Sequence, residues 1–483
     1  MKMLIDSQWV ESSTGQWIDV SNSGTGEIID RTPAASVEDV EKAIQAAQAA
    51  RERMRWMPAH KRSEILLRIA DSIMDNHMAL GELLAKENGK PIQQTRAEVV
   101  VTARIFRGFA EEAKRIFGRV VPMDAVPGQE RNFAITIRQP LGVVAAIVPF
   151  NYPVELWGHK AAPALAAGNP VITKPPKECP LAILKIAELM EAAGLPRGAH
   201  QVVTGAGSII GDYLARSPGI KMVNFTGSTE VGIKITQLAA QTLKKVHMEL
   251  GGNDAMIVCS DADLDKAVQS VVLGRLARGN GQICCAIKRI FVAAPIYDRF
   301  AESLAQKAKA LKVGNQLEED TDVGPLINEA AAIQVEALVN QAVKAGAKLI
   351  AGGHRRNAFM EPTVLRDVPP SVPLFCEETF GPVVPLVKFQ DVEEAIRLAN
   401  DSPYGLQAAV FTNDISRAMT IAHRLEAGGV IVNWSSALRV ETLPFGGIKM
   451  SGNGREGIHD SLLEMTEQKI IIFHDALSIF QSE

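Results

Sequence analysis

Between residues 140 and 251 short apolar runs alternate with helical stretches: VVAAIV, ELWGHKAAPALAAG, PVITK, PLAILKIAELMEAAG, QVVTG, SIIGDYLARS, MVNFTG and EVGIKITQLAAQ. A strand that is apolar throughout must be covered on both faces, and a helix between successive strands supplies the cover. The alternation therefore predicts βαβ units in a parallel sheet with helices on both sides, and ligands belong at the strands' C-terminal ends. A second series runs from DAMIV (254–258) through DLDKAVQSVVLGRLA, RIFVAA, YDRFAESLAQKAKAL, a helical stretch near 329–345, VVPLVKF and VEEAIRLAN to GGVIVNW. The fold class is α/β, with a cleft expected between two such domains.

The 483 residues are enough for about three domains' worth of chain. Residues 36–118 read as amphipathic helices, the first with Ser36 as its N-cap. In RNFAITIRQ the residues Phe133, Ile135 and Ile137 alternate as a strand does, and TEQKIIIFHD (466–475) looks like a strand without a local partner. Lys and Arg number 51 against 55 Asp and Glu, a net charge of −4 that argues against a nucleic-acid partner. No apolar run approaches the roughly 18 residues of a membrane span, and the start lacks a secretory pattern, so a cytoplasmic protein is expected. Five cysteines without a CxxC or a spaced Cys/His set predict reduced thiols and no metal site.

Chemistry-bearing residues stand at the strand-to-helix junctions. Gly205, Gly207 and Gly211 follow HQVVT, and Gly227 and Gly232 follow KMVNFT. Glycine there lets a phosphate approach the helix N–H groups, although a tight turn accounts for either set as well. Lys174 ends PVITK, where it can reach a ribose or phosphate or simply face solvent. In GNGQICC, Cys284 and Cys285 are two small buried hydrophobes or one nucleophile with a neighbour, since adjacent side chains do not point the same way. Glu249 in HMELGGND is a base or a salt-bridge partner, and Asn151 in VPFNYP is an oxyanion donor or a turn residue.

Seven blocks in order decide among these readings: PFNYP (149–153), PALAAGNPVITKP (163–175), NFTGSTEVG (224–232), MELGGN (248–253), GQICC (281–285), EETFGPVVP (377–385) and PFGGIKMSGNGREG (444–457). The chain resembles the aldehyde dehydrogenase superfamily over essentially its whole length. The resemblance implies a Rossmann-like cofactor domain, a second α/β catalytic domain and a small β oligomerisation arm. The corresponding ranges are 1–121 with 140–250, 251–445, and 122–139 with 464–480. It implies oxidation of an aldehyde to an acid with NAD or NADP, through a thiohemiacetal and a thioester on Cys284. Glu249 is the implied base, Asn151 the implied oxyanion donor together with the Cys284 N–H, and Lys160 matches a lysine assigned to proton relay. The implied cofactor contacts are Pro149, Phe150, Lys174, Lys177, Gly207, Gly211, Phe225, Gly227, Ser228, Glu249, Leu250, Gly251, Glu378 and Phe380. By position in the family, Tyr152, Leu156, Trp157, Ile283, Cys285, Leu438 and Phe445 line the aldehyde tunnel, with Glu155, His159 and Arg439 as polar company.

Departures from the family pattern sharpen the expectations. Lys177 stands where the family has a glutamate for the adenine ribose hydroxyls, so NADP is expected to be accepted. The alternative is a solvent-facing Lys177 with Glu178 as the carboxylate and NAD as cofactor. ARGNGQ lacks the aromatic and asparagine common before the cysteine, which questions the local packing. Arg439 either binds an anionic substrate group or is a structural ion-pair partner, and a small polar or anionic aldehyde is expected. A coenzyme A-acylating enzyme would lack Glu249, and a noncatalytic relative would not keep Cys284, Glu249 and Asn151 together. The arm implies a homodimer or homotetramer.

Overall fold

The computed structural model describes residues 1–477. Its first sheet has eight strands, and five parallel ones form the centre in the order His200–Val202, Val171–Lys174, Val144–Ile147, Met222–Thr226, Lys245–Glu249. All but the last are buried along their whole length, which explains why their sequences are apolar runs rather than alternating patterns. Two N-terminal strands, Met3–Ile5 and Gln8–Val10, extend one edge, and Gly452–Asn453 returns antiparallel to Met248 and Glu249 on the other. These edge strands are two or three residues long, too short to show periodicity in the sequence.

The second sheet has seven strands. Its parallel centre runs Val383–Phe389, Ile287–Ala293, Asp254–Val258, Gln407–Phe411, Gly429–Val432. An apolar core joins this sheet to the helices Leu264–Val271, Tyr297–Lys309 and Glu329–Lys344. The long helices of residues 37–112 cover the first sheet. Ser36 does cap the first of them, accepting from Asp39 N while the Asp39 carboxylate accepts from Ser36 N, a reciprocal box worth about 1 kcal/mol.

Three strands form the arm in the order Thr466–Phe473, Phe133–Pro140, Arg119–Val121. Thr466–Phe473 does have a partner in its own chain: it pairs antiparallel along all eight residues with Phe133–Pro140. Sequence proximity hid this because the two strands lie more than three hundred residues apart. Arg119–Val121 belongs to this sheet rather than to the cofactor domain. Residues 478–480 of the expected arm lie outside the described residues. Among the described residues no helix is long and apolar enough to cross a membrane.

Candidate active site

The first sheet reverses its strand order between Val144–Ile147 and Met222–Thr226, and a crevice opens there beyond the strand ends. It holds a cavity of about 630 Å³. Its walls come from the loops after those strands, from Lys174 and Gly207–Gly211, and from Ala331, Gln334, Val335 and Leu338 on the helix Glu329–Lys344 of the second domain. Ser228 caps the helix Thr229–Ala240, which points its positive end into the crevice. Lys174 is buried, and burial pushes its ammonium down to about 8. A Cβ on Gly227 would stand 2.4 Å from the Phe225 ring and one on Gly251 2.4 Å from the Glu378 carboxylate, so a side chain at either place would displace a residue of the cradle. Glu378 Oε1 accepts from Gly252 N at 3.0 Å and faces Lys288 Nζ at 3.3 Å, and Phe380 lies edge-on to Phe150. The shape, the helix terminus and the two carboxylate-and-cation ends fit a dinucleotide.

Cys284 lines the same cavity from the second domain. It stands on a loop where Gly279, Asn280 and Gly281 all take left-handed φ values. Buried Asn280 donates to Gly89 O and Pro325 O and accepts from Gly324 N, and Arg275 donates to Val383 O, Gly281 O and Thr379 O. Asn280 thus anchors the segment, and the packing in question is intact. Lys288 Nζ caps the loop at Ile283 O and Cys284 O. A hydrogen bond to Cys285 and burial hold the Cys284 thiol well above the ordinary range. The thiol therefore needs a base.

Asn151 is held by its carbonyl, which accepts from Lys90 Nζ at 2.6 Å, while Lys90 pairs with buried Glu98 and Glu98 caps the next helix at Val154 N and Glu155 N. Asn151 lines the cavity. Glu249 ends its strand buried, with neither carboxylate oxygen hydrogen-bonded, and burial and the nearby Glu456 push its carboxyl well above the usual range. A buried carboxyl that is easily protonated beside a thiol is suited to carry a proton.

The sequence matches the aldehyde dehydrogenase family over residues 9–471. The chain belongs to the aldehyde dehydrogenase family. It is 43% identical to 3-sulfolactaldehyde dehydrogenase of Priestia aryabhattai over 472 residues, 98% of each chain. It is 41% identical to glutarate-semialdehyde dehydrogenase of Pseudomonas putida over 469 residues, 97% of this chain and 96% of that one. The crystal structure of NADP-dependent glyceraldehyde-3-phosphate dehydrogenase from Bacillus halodurans C-125 complexed with NADP has a TM-score of 0.95 and 40% identity, covering 98% of this chain and 99% of that one. This aldehyde dehydrogenase is an oxidoreductase that converts aldehydes to carboxylic acids with NAD or NADP.

All the cofactor positions expected from the sequence line the one cavity except Glu249, which lies behind it. Lys177 stands on the rim, exposed, 3.7 Å from Glu178. On the aldehyde side Tyr152, Leu156, Ile283, Cys285 and Phe445 form one apolar cluster with Cys284. Trp157 is not in it. One residue after Leu156, it turns into the core against Phe106 and His200, and its Nε1 donates to Thr173 Oγ1 at 3.0 Å. Leu438 is exposed. Arg439 lies 4.4 Å over Phe445 with its guanidinium on Glu456, whose other oxygen takes Lys160 Nζ at 2.9 Å. Although burial opposes it, these two cations hold the Glu456 carboxyl well below the usual range. Arg439 is thus ion-paired with Glu456, a carboxylate it shares with Lys160. The cation that sequence reasoning missed is Arg278, which donates to Tyr152 Oη at 3.3 Å and Ala437 O at 2.7 Å and has no ion-pair partner among the described residues. The signal was its position, six residues before Cys284 at the end of an apolar helix.

Proposed function

We propose that Cys284, Glu249 and Asn151 carry the chemistry, and that the preferred substrate is a short aldehyde bearing an anionic group at its far end. One observation carries this: Cys284 lines the dinucleotide cavity and packs with the apolar cluster of Tyr152, Ile283 and Phe445, and Tyr152 Oη accepts from Arg278, which forms no direct ion pair among the described residues. The Cys284 thiol loses its proton to the Glu249 side and its sulfur adds to the aldehyde carbon. The Asn151 amide and the Cys284 N–H donate to the resulting oxyanion, each such donor being worth about 10²- to 10³-fold. Lys174, Ser228, Glu378 and Phe380 would hold a nicotinamide dinucleotide in the cavity, and such a cofactor would supply the hydride acceptor for this carbon. Glu249 then removes a proton from the water that attacks the Cys284 thioester, and the acid is released.

Arg278 favours a carboxylate, sulfonate or phosphate through its planar pair of N–H donors, in keeping with the sulfolactaldehyde, semialdehyde and phosphorylated aldehyde named for the relatives. Exposed Lys177 and buried Lys174 at the cavity support NADP over NAD. The arm supports a homodimer or homotetramer, since Ile470, Ile472, Phe473 and Val120 are exposed on one small sheet. Five free cysteines support a reducing compartment, the cytoplasm.

The test is cofactor reduction with a panel of acidic and neutral short aldehydes, using NAD and NADP, without coenzyme A. Acid formed fastest from the anionic aldehydes with NADP is expected. Equal turnover of neutral aldehydes of the same length would overturn the substrate class, and a coenzyme A requirement would overturn the hydrolytic mechanism.

A further inference from the structure

We propose that His247 is a positioning residue for thioester hydrolysis, passing outward to Glu464 the proton that Glu249 takes from water; this rests on the roles proposed above for Cys284 and Glu249. Hydrolysis of the acyl-cysteine forms a C–O bond and breaks the C–S bond. One proton of the water returns to the sulfur, and the proton of the acid must leave. Glu249 receives it in a place where only 2% of the residue is exposed, so it needs an outlet.

A strand puts residues i and i+2 on one face, and His247 lies beside Glu249 for that reason. The ring is buried, its Nε2 is 3.8 Å from Glu249 Oε1, and Nε2 has no other partner. Nδ1 is hydrogen-bonded to Glu464 Oε2. A neutral ring that donates Nδ1–H to a carboxylate carries its lone pair on Nε2, and here that lone pair faces the base. The gap exceeds hydrogen-bond length by about 0.6 Å and closes with a small side-chain rotation, as such contacts do in a substrate complex. Glu464 is the outlet: its side chain is 34% exposed, and its other oxygen is fixed by Arg455 N at 3.1 Å.

Two glycines keep the path clear. A Cβ on Gly454 would stand 2.6 Å from His247 Nδ1, and one on Gly446 would stand 2.9 Å from Glu249 Oε1. The other charged or titratable groups around the ring are Glu456 and Arg455 from the returning loop and His159 from the helix Pro153–Ala167. Lys160 and Arg439 both face Glu456, whereas His247 Nε2 faces Glu249.

The experiment compares His247→Asn and Glu464→Gln with the intact enzyme by rapid quench, following the burst of reduced cofactor and the decay of the acyl-enzyme separately. Asn preserves a donor toward Glu464 but removes the acceptor facing Glu249. We expect acyl-enzyme decay slowed about 10-fold in His247→Asn and by a smaller factor in Glu464→Gln, with the burst slowed by a clearly smaller factor than the decay in each. The solvent deuterium isotope effect on that decay should increase in both. Decay at the wild-type rate in both variants, or burst and decay falling by one common factor, would overturn the relay. Glu249→Gln is the control: fast decay there would remove the base itself rather than the outlet alone.

Discussion

The five central strands of the two sheets share one order, the third, second, first, fourth and fifth of each set side by side, with the parallel strand Thr363–Arg366 added outside Val383–Phe389 in the second, yet the sheets use opposite ends. In the first, the loops beyond the reversal point are Val148–Asn151 and Gly227–Ser228, and the crevice is open. In the second, the corresponding position lies beyond Val258 and Phe411, and half-buried Asp261 stands there. Its carboxylate accepts from Thr412 Oγ1 at 2.9 Å, Asn413 N at 3.1 Å and Arg417 at 2.8 Å. The second sheet instead offers its N-terminal edge, where Cys284 precedes Ile287–Ala293. Topology marks where a crevice can form. The loop residues there differ, glycine in the first sheet and a carboxylate with three donors in reach in the second.

The widest separation between the two ends comes from the nucleophile. Cys284→Ala should lower turnover by roughly 10⁴-fold or more while cofactor binding, read by fluorescence titration, stays within about twofold. A comparable loss of binding would mean that the second sheet's edge also builds the first sheet's crevice. Glu249→Gln should lower kcat by about 10²- to 10³-fold. Because the carboxyl of Glu249 is held above the usual carboxylate range, it is protonated and idle at low pH, and wild-type kcat should rise through that shifted value. A profile already flat from the ordinary carboxylate range upward would contradict the burial of Glu249.

Within the aldehyde side, Arg278→Gln should cost about 10²-fold in kcat/KM for anionic aldehydes and little for neutral ones. Arg439→Ala should instead reduce both alike and lower stability in urea by about 3 kcal/mol, since it leaves buried Glu456 with only Lys160. A selective loss in Arg439→Ala would reverse the two assignments. Lys177→Glu should shift the NADP/NAD ratio of kcat/KM by about 10-fold toward NAD, and an unchanged ratio would return Lys177 to solvent. The smallest kinetic effect belongs to the second sheet's reversal point: Asp261→Ala should lower stability by about 1 to 3 kcal/mol with kcat unchanged, measured by urea midpoint and steady-state rate.

Much of this was legible before any coordinates. The buried strands read as apolar runs because helices cover both of their faces, and the blocks around Asn151, Lys174, Glu249, Cys284 and Glu378 are local in the chain. The pairing of Thr466–Phe473 with Phe133–Pro140, the inward turn of Trp157 and the choice between Arg278 and Arg439 were not. Each depends on a partner distant in sequence, and periodicity carries no information about that partner.

The chain's own order of residues therefore determined the two α/β series, the family and its cofactor class, since these follow from local patterning and contiguous motifs. Only the tertiary structure decided which arginine forms an ion pair, that Glu249 is buried beside His247, and that Asp261 gathers three donors beyond the second sheet's reversal point. Charge compensation and desolvation are properties of packed surroundings, set when residues such as Glu456 and Arg439, or Asp261 and Thr412, are brought together by the fold.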